Sequence, residues 1–409
     1  MNRSEEPLSP VAPERTTRPK AQGGEVAIGR KVVVVTSPDE MTSYIPDWDD
    51  LADHAAEPNL FYESWALLPA WKHLADATDI RIVLVFSHDK AHSTAQPLLL
   101  GLFPIAAHVR HQTIRVATAF VWRHTHCPLA TPLLRKGYER EALAGLFNWI
   151  ESNRNLGHML SFELVGGDGP FFESLQSLVY DEKRLMFSYN EFSRGVFRPM
   201  ADVETYLQKV LSAKRRRNLR QEYNNLSKLG RLETLELKPG DNLDYWVRSF
   251  FDLEGAGWKG QTGSAIVCKP TDVQFFQELS NNAHAKQKLQ ILMLCLDDRP
   301  IAMQYNLVSP QGAFALKIAF DENYRRYSPG MLLGIEAFRL FHGHPDVPWM
   351  DSCPSAPVNI TRENLWNESR LIRHILVSTG DIVGKTILRI LPTARTVKRA
   401  LRPKTKPGS

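Results

Sequence analysis

Residues 313–333 read AFALKIAFDENYRRYSPGMLL. An apolar, strand-forming run ends at Phe320, a polar turn follows, and a helix opens on Ser328-Pro329-Gly330. Ser328 is of the type whose side chain caps a helix, and Pro329 suits the first helical position because it has no amide hydrogen to leave unpaired. Gly330 places no side chain over the next amides, so the helix start is bare, rich in donors and positive. Such a terminus seats a phosphate or pyrophosphate. The amides of Gly330, Met331 and Leu332 would hold it, with Arg325 and Arg326 just ahead.

Outward from this stretch the pattern is that of a meander. Leu289–Leu296, Ile301–Val308 and Ala313–Phe320 are apolar runs separated by Asp297-Asp298-Arg299-Pro300 and Ser309-Pro310-Gln311-Gly312, both sound turn sequences. A helix from Pro329 to His342 buries Met331, Leu332, Ile335, Phe338 and Phe341, and a strand at Trp349–Cys353 follows it. Helical stretches at Val203–Leu229 and Asp244–Glu254 precede the meander. The first half has the same order. Strand Lys31–Val35 and apolar residues at helical spacing from Trp48 to Trp71 lead into runs at Arg81–His88, Pro97–Ile105 and Thr113–Val121, then a helix at Tyr138–Ser152 and a strand at His158–Leu164. Thr131-Pro132-Leu133-Leu134 echoes the helix opening but lacks the glycine and the arginine pair, so only the second half keeps the phosphate seat. The expected divisions are a disordered leader at 1–30, domains at 31–200 and 201–384, and a basic tail at 385–409.

With 409 residues, 43% of them hydrophobic, the chain can bury two cores. Its four cysteines (Cys127, Cys268, Cys295, Cys353) form no CxxC pair, which argues against a disulfide framework and a structural zinc site. No apolar run is long enough to span a bilayer, and the polar start is unlike a signal peptide, so a cytoplasmic protein is expected. The net charge of +5 is local, because the tail from Lys385 carries eight Lys or Arg and no acid. A near-neutral body does not suit DNA. The tail, with Ile382, Val383, Ile387, Leu388, Ile390 and Leu391 ahead of a break at Pro392, suits peripheral contact with the inner face of an anionic membrane.

At this point the chain resembles the GNAT acyltransferase superfamily, and more narrowly the bacterial two-domain CelD-type acetyltransferases, relatives of the Fem-type aminoacyltransferases. The residues that carry this are Asn59-Leu60-Phe61 with Trp65, the run Lys214–Arg220, Leu253-Glu254-Gly255-Ala256-Gly257-Trp258-Lys259-Gly260, Tyr327–Leu333, Asp351-Ser352-Cys353 and Leu365-Trp366. The phosphate loop departs from the family pattern, since Arg326 precedes Gly330 by four with Pro329 between them. The resemblance implies an α/β fold of two tandem GNAT-like domains, each a mixed, mainly antiparallel twisted sheet flanked by helices. It further implies acyl transfer from acetyl-CoA or another acyl-CoA, without a metal, with pantetheine along Ala315–Phe320. The acceptor would be an amine or hydroxyl of a small molecule or glycan, such as an envelope or exopolysaccharide precursor. An aminoacyl-tRNA donor, as in Fem-type relatives, and a non-catalytic module binding a glycan, membrane or partner protein are the alternatives.

Acyl transfer needs a held donor, a deprotonated nucleophile and a partner for the oxyanion. Glu254, in a glycine-rich loop, and Asp351, at a strand end, are the candidate bases, and burial would raise either carboxyl toward neutrality. Trp258 offers a platform for a sugar or amino-acid ring, and Lys259 a cation for a carboxylate or phosphate. Tyr327 or Tyr324 would protonate the leaving thiolate. Cys353 with His342 or His344 is a covalent alternative. His124 and His126 have no matching metal ligands and read as structural, or as lining a groove in the first half.

Overall fold

A computed structural model describes residues 29–88, 97–108, 116–343, 347–356 and 365–400. The first half builds an antiparallel meander of β1 (Gly29–Val35), β2 (Arg81–His88), β3 (Leu99–His108) and β4 (Thr118–Val121). A short β5 (Leu133–Leu134) hangs on β3, and β6 (Met159–Gly166) joins β4 in parallel at Ala119 and Phe120. Then comes β7 (Met186–Phe197). The second half repeats the plan: β8 (Leu232–Glu236), β9 (Leu289–Leu296), β10 (Arg299–Ser309) and β11 (Gly312–Phe320) run antiparallel, β12 (Met350–Asp351) joins β11 in parallel, and β13 (Glu368–Ser378) closes the series. The architecture is the expected α/β pair of tandem units, each mainly antiparallel with one parallel step.

The units exchange their last strands. β7 pairs with β12 of the second half, β13 pairs with β6 of the first, and β7 and β13 pair with each other. All described strands therefore form one sheet in the order β1-β2-β3-β4-β6-β13-β7-β12-β11-β10-β9-β8, with β5 beside β3.

Helices α1 (Ile45–Asp53), α2 (Ser64–Leu74), α3 (Glu139–Ser152) and α4 (Pro170–Asp181) serve the first half. The second has α5 (Val203–Val210), α6 (Ala213–Leu226), α7 (Leu243–Ala256), α8 (Trp258–Gln261), α9 (Pro270–Ala285) and α10 (Pro329–His342), and α11 (Ile382–Ala400) ends the described chain. The single helix expected over 203–229 is two, because Ser212 takes an extended conformation and its Oγ caps α6 by accepting from the Arg215 amide at 3.1 Å. The tail helix runs past Pro392, where a break was expected. β12 has two residues rather than five.

One apolar core unites the first half with α7 and α9, and a second lies under α10 with Phe197 stacked on Phe338 at 4.3 Å. Polar ties cross between halves at Lys286–Asp49 (2.9 Å) and His73–Glu278 (2.7 Å). At the sheet centre, fully buried Arg194 of β7 donates to Asp351 Oδ2 through Nε (2.9 Å) and Nη2 (2.6 Å), and through Nη1 to the Pro128 carbonyl (2.6 Å). In the first half the gap beyond the β4–β6 pairing is filled by its own chain. Ala130 donates to the Leu164 carbonyl, and Thr131 Oγ1 accepts from the Gly166 amide. The equivalent gap in the second half is open.

Candidate active site

β11 pairs with β12 only at Ala313 and Phe314. Beyond Phe314 the strands part, while the other edge of β11 stays bonded to β10. On that second edge Lys317 faces Tyr305 and Ala315 faces Asn306, so Leu316 is an extra residue, a β-bulge. The bulge turns the local amides away from a regular ladder, beside a cleft of about 710 Å³. The cleft is walled by Ala315–Ile318 on one side and by Arg325 and Ser328–Met331 on the other, with Ser352, Cys353 and Trp366 across the gap. Trp366 packs against Gly195, where an added Cβ would meet its Cγ at 2.3 Å.

The helix start is where the sequence placed it, but it is built differently. Ser328 has φ 50° and ψ 48°, left-handed for a residue with a Cβ, and its side chain makes no cap bond. Its carbonyl accepts from Met331 (2.9 Å) and Leu332 (3.0 Å), so these amides are already engaged. The Gly330 amide has no such partner among the described residues. Freed from capping, Ser328 Oγ lies 3.4 Å from Arg215 Nη2, which brings α6 to the seat. Arg325, Ser328, Gly330 and Met331 line the cleft. Arg326 and Tyr327 do not: the guanidinium stacks on the tyrosine ring at 4.6 Å and the pair turns away. Leu332 faces the core under α10.

Glu254 is buried beside the cleft. Its Oε1 takes Lys259 Nζ at 2.8 Å and Lys317 Nζ at 3.3 Å, and its Oε2 accepts from the Ile266 amide at 2.9 Å. Burial alone would raise this carboxyl, but Lys317, Lys259 and the amide together bring it below the usual carboxylate range. The expected elevation toward neutrality is thus reversed, because two ammoniums share one carboxylate. Burial pulls Lys317 below the usual lysine range, with Glu254 opposing and Lys259 adding to it. A carboxylate with a lowered pKa stabilises the fold above its unfolded pKa and loses that contribution as pH falls through the folded one. Glu254→Gln is therefore expected to cost about 2–4 kcal/mol at pH 7. The gap to wild type should close below roughly pH 4, which urea unfolding at a series of pH values would measure.

Lys259 and Lys317 line the cleft. Trp258, more than half exposed, flanks a small adjoining hollow with Glu254. Behind Lys317 sit Phe276, with the ammonium 5.4 Å from its ring centre, and the pair His126–Asp272 at 3.1 Å. His124 packs on Phe275, and burial holds both imidazoles below the usual range. Asp351 lies outside the cleft, fully buried between Arg194 and Arg370, the latter at 3.5 Å. Burial, with Asp351 alongside, pushes the Cys353 thiol well up, which keeps it from acting as a thiolate. His342 is engaged by the Met200 amide and the Phe338 carbonyl, and His344 lies outside the described residues. Among the described residues no three His, Cys, Asp or Glu side chains gather to hold a metal. Nor is any described helix long and apolar enough to cross a membrane.

Lys317 and Gln304, both in the cleft, were not singled out from the sequence. Lys317 was hidden inside an apolar strand, and nothing local marks it. Arg215 was read only as part of a basic run.

Residues 213–354 match the family of acetyltransferase (GNAT) domains. Those residues hold every cleft wall except the Leu365-Trp366 rim. Among solved structures, FemX superposes with a TM-score of 0.54 at 9% identity over 81% of this chain and 95% of its own. A tandem GNAT protein from the clavulanic acid biosynthesis pathway gives 0.45 at 13% identity over 86% and 99%. No curated protein matches the sequence. Residues 213–354 are thus similar to GNAT acetyltransferase domains, and the chain shares its fold with FemX.

Proposed function

We propose that the protein transfers an acyl group, acetyl in the simplest case, from acyl-CoA to an amine or hydroxyl acceptor. The observation that carries this is the gap between β11 and β12, which opens at a bulge and faces an unobstructed helix start. The diphosphate would sit on the Gly330 amide with Arg325 and Arg215, and pantetheine along the free edge of β11. The thioester would then lie near the Leu316 bulge, whose amides would meet the oxyanion. The acceptor's nitrogen or oxygen attacks the thioester carbon, the C–S bond breaks, and CoA leaves as thiolate. The proton released by the nucleophile reaches the thiolate through solvent in the open cleft.

Glu254 is assigned to holding Lys259 and Lys317 rather than to taking a proton, and Asp351 to the sheet. Two ammoniums against one carboxylate leave positive charge on the cleft wall, which suits a phosphate or carboxylate on the acceptor, as in a sugar phosphate. Lys317→Met is expected to raise KM for glucosamine 6-phosphate over glucosamine by about tenfold or more, while the Kd for acetyl-CoA stays within about twofold.

A second reading keeps the fold and changes the donor. Lys214, Arg217 and Arg220 are exposed on α6, the helix that Arg215 ties to the seat. That stripe suits the phosphates of an aminoacyl-tRNA. Titration of acetyl-CoA into the full chain decides between them: micromolar binding supports the first, and none by a folded protein overturns it. Binding of charged tRNA that weakens steeply with salt would support the second.

A further inference from the structure

A line of buried side-chain amides crosses the sheet beneath α10 and ends in the cleft. Gln304 of β10 donates through Nε2 to Asn306 Oδ1 at 3.0 Å. Asn306 donates through Nδ2 to Gln290 Oε1 at 3.0 Å, and Gln290 through Nε2 to Glu236 Oε1 at 2.9 Å. Gln304, Asn306 and Gln290 are 5%, 0% and 9% exposed, so each wrong orientation would leave a buried polar atom unpaired. Each amide can point either way by itself. A carboxylate only accepts, so Glu236 obliges Gln290 to turn its nitrogen outward, and the choice passes along the line. The far end is Gln304 Oε1, which has no partner among the described residues although Gln304 lines the cleft.

The surroundings specify what that oxygen meets. Gln304 stands opposite Ile318 in the β10–β11 register. Ile318 lies against the helix start, since a Cβ on Gly330 would be 3.3 Å from its Cδ1. This is the face on which the diphosphate was placed, and Phe320, Met331 and Phe338 supply apolar wall there beside Arg325 and Ser328. One neutral, oriented acceptor among these apolar side chains fits an uncharged N–H on an aliphatic arm.

We propose that Gln304 Oε1 accepts from an amide N–H of the pantetheine arm, and that Glu236, two strands away, is a positioning residue that fixes its direction. The assignment rests on the acyl-CoA reading. Gln304→Leu should weaken CoA binding about tenfold, the usual scale for leaving one such group unpaired. Glu236→Lys replaces an obligate acceptor with an obligate donor, so every amide turns round and Gln304 offers an N–H to the ligand's N–H.

The test is calorimetric titration of CoA into full-length wild type, Gln304→Leu, Glu236→Lys and the double variant, with melting temperatures recorded. Expected is a loss of tenfold or more in each single variant and no further loss in the double, since an inverted line has nothing to present once Gln304 is gone. An equal effect of Glu236→Lys in both backgrounds would mean long-range charge and overturn the relay, as would wild-type affinity in Gln304→Leu. If Glu236→Lys does not fold, Glu236→Gln, which can donate or accept, should give an intermediate loss that vanishes in the Gln304→Leu background. A folded wild type that binds no CoA removes the donor reading as well, whereas binding retained in all variants removes this inference alone.

Discussion

Gly330→Glu is expected to weaken acetyl-CoA binding by at least about 100-fold, roughly 2.7 kcal/mol, with a melting temperature close to that of wild type. The glycine sits on the first turn of α10, at the cleft wall, and an added Cβ would lie 3.3 Å from Ile318 Cδ1 and 3.5 Å from Phe320 Cδ1. Both neighbours are side-chain tips, so the fold can absorb the carbon. The carboxylate then points at the anion's place and reverses the attraction of the helix terminus. Gly330→Ala separates size from charge: it adds the same carbon and should stay within about tenfold of wild type, a cost of about 1.4 kcal/mol or less. Calorimetry of the three proteins measures this. Wild-type affinity in the glutamate variant would mean that the diphosphate binds elsewhere.

Asp351→Asn is expected to destabilise the protein by about 3–5 kcal/mol, the range for breaking a buried ion pair from one side. Arg194 has no solvent to turn to, and beyond Asp351 its described partner is the Pro128 carbonyl. Against a typical total of about 5–15 kcal/mol this is large, and the melting temperature should fall by roughly 4–6 °C in a chain of this length. A base would behave differently, losing turnover at an unchanged melting temperature. The pair Asp351→Leu with Arg194→Met should recover most of the stability, because neither charge of the fully buried pair then remains and Arg370 keeps Glu57 at 3.9 Å. Denaturant unfolding of the single and double variants distinguishes the roles.

The parts legible in the sequence were those whose causes are local. α10 begins and ends where Pro329 and the apolar spacing place it, and β9 and β11 follow apolar runs between turn residues. β7 and β13 went unread because they lie in the middle of the sheet yet carry Glu191, Arg194, Arg370 and Arg373, whose ion pairs replace apolar alternation. The cleft was half legible. Its phosphate end is a contiguous motif, whereas Lys317 acquires meaning from Glu254 on α7, and Gln304 from Glu236 on β8. The placement of Asp351, in a buried ion pair outside the cleft, was not legible for the same reason, since its partner stands at position 194.

The exchange of β7 and β13 bears on how such a chain is made. During synthesis the first half emerges with β6 lacking a neighbour on one side, and it stays so until residues 368–378 have left the ribosome. Until then β6 and β7 each offer an open row of amides and carbonyls to any passing strand, including another nascent copy. The last of the described strands thus seals both halves at once, and a product cut short before Glu368 is left with two adhesive edges instead of one finished domain.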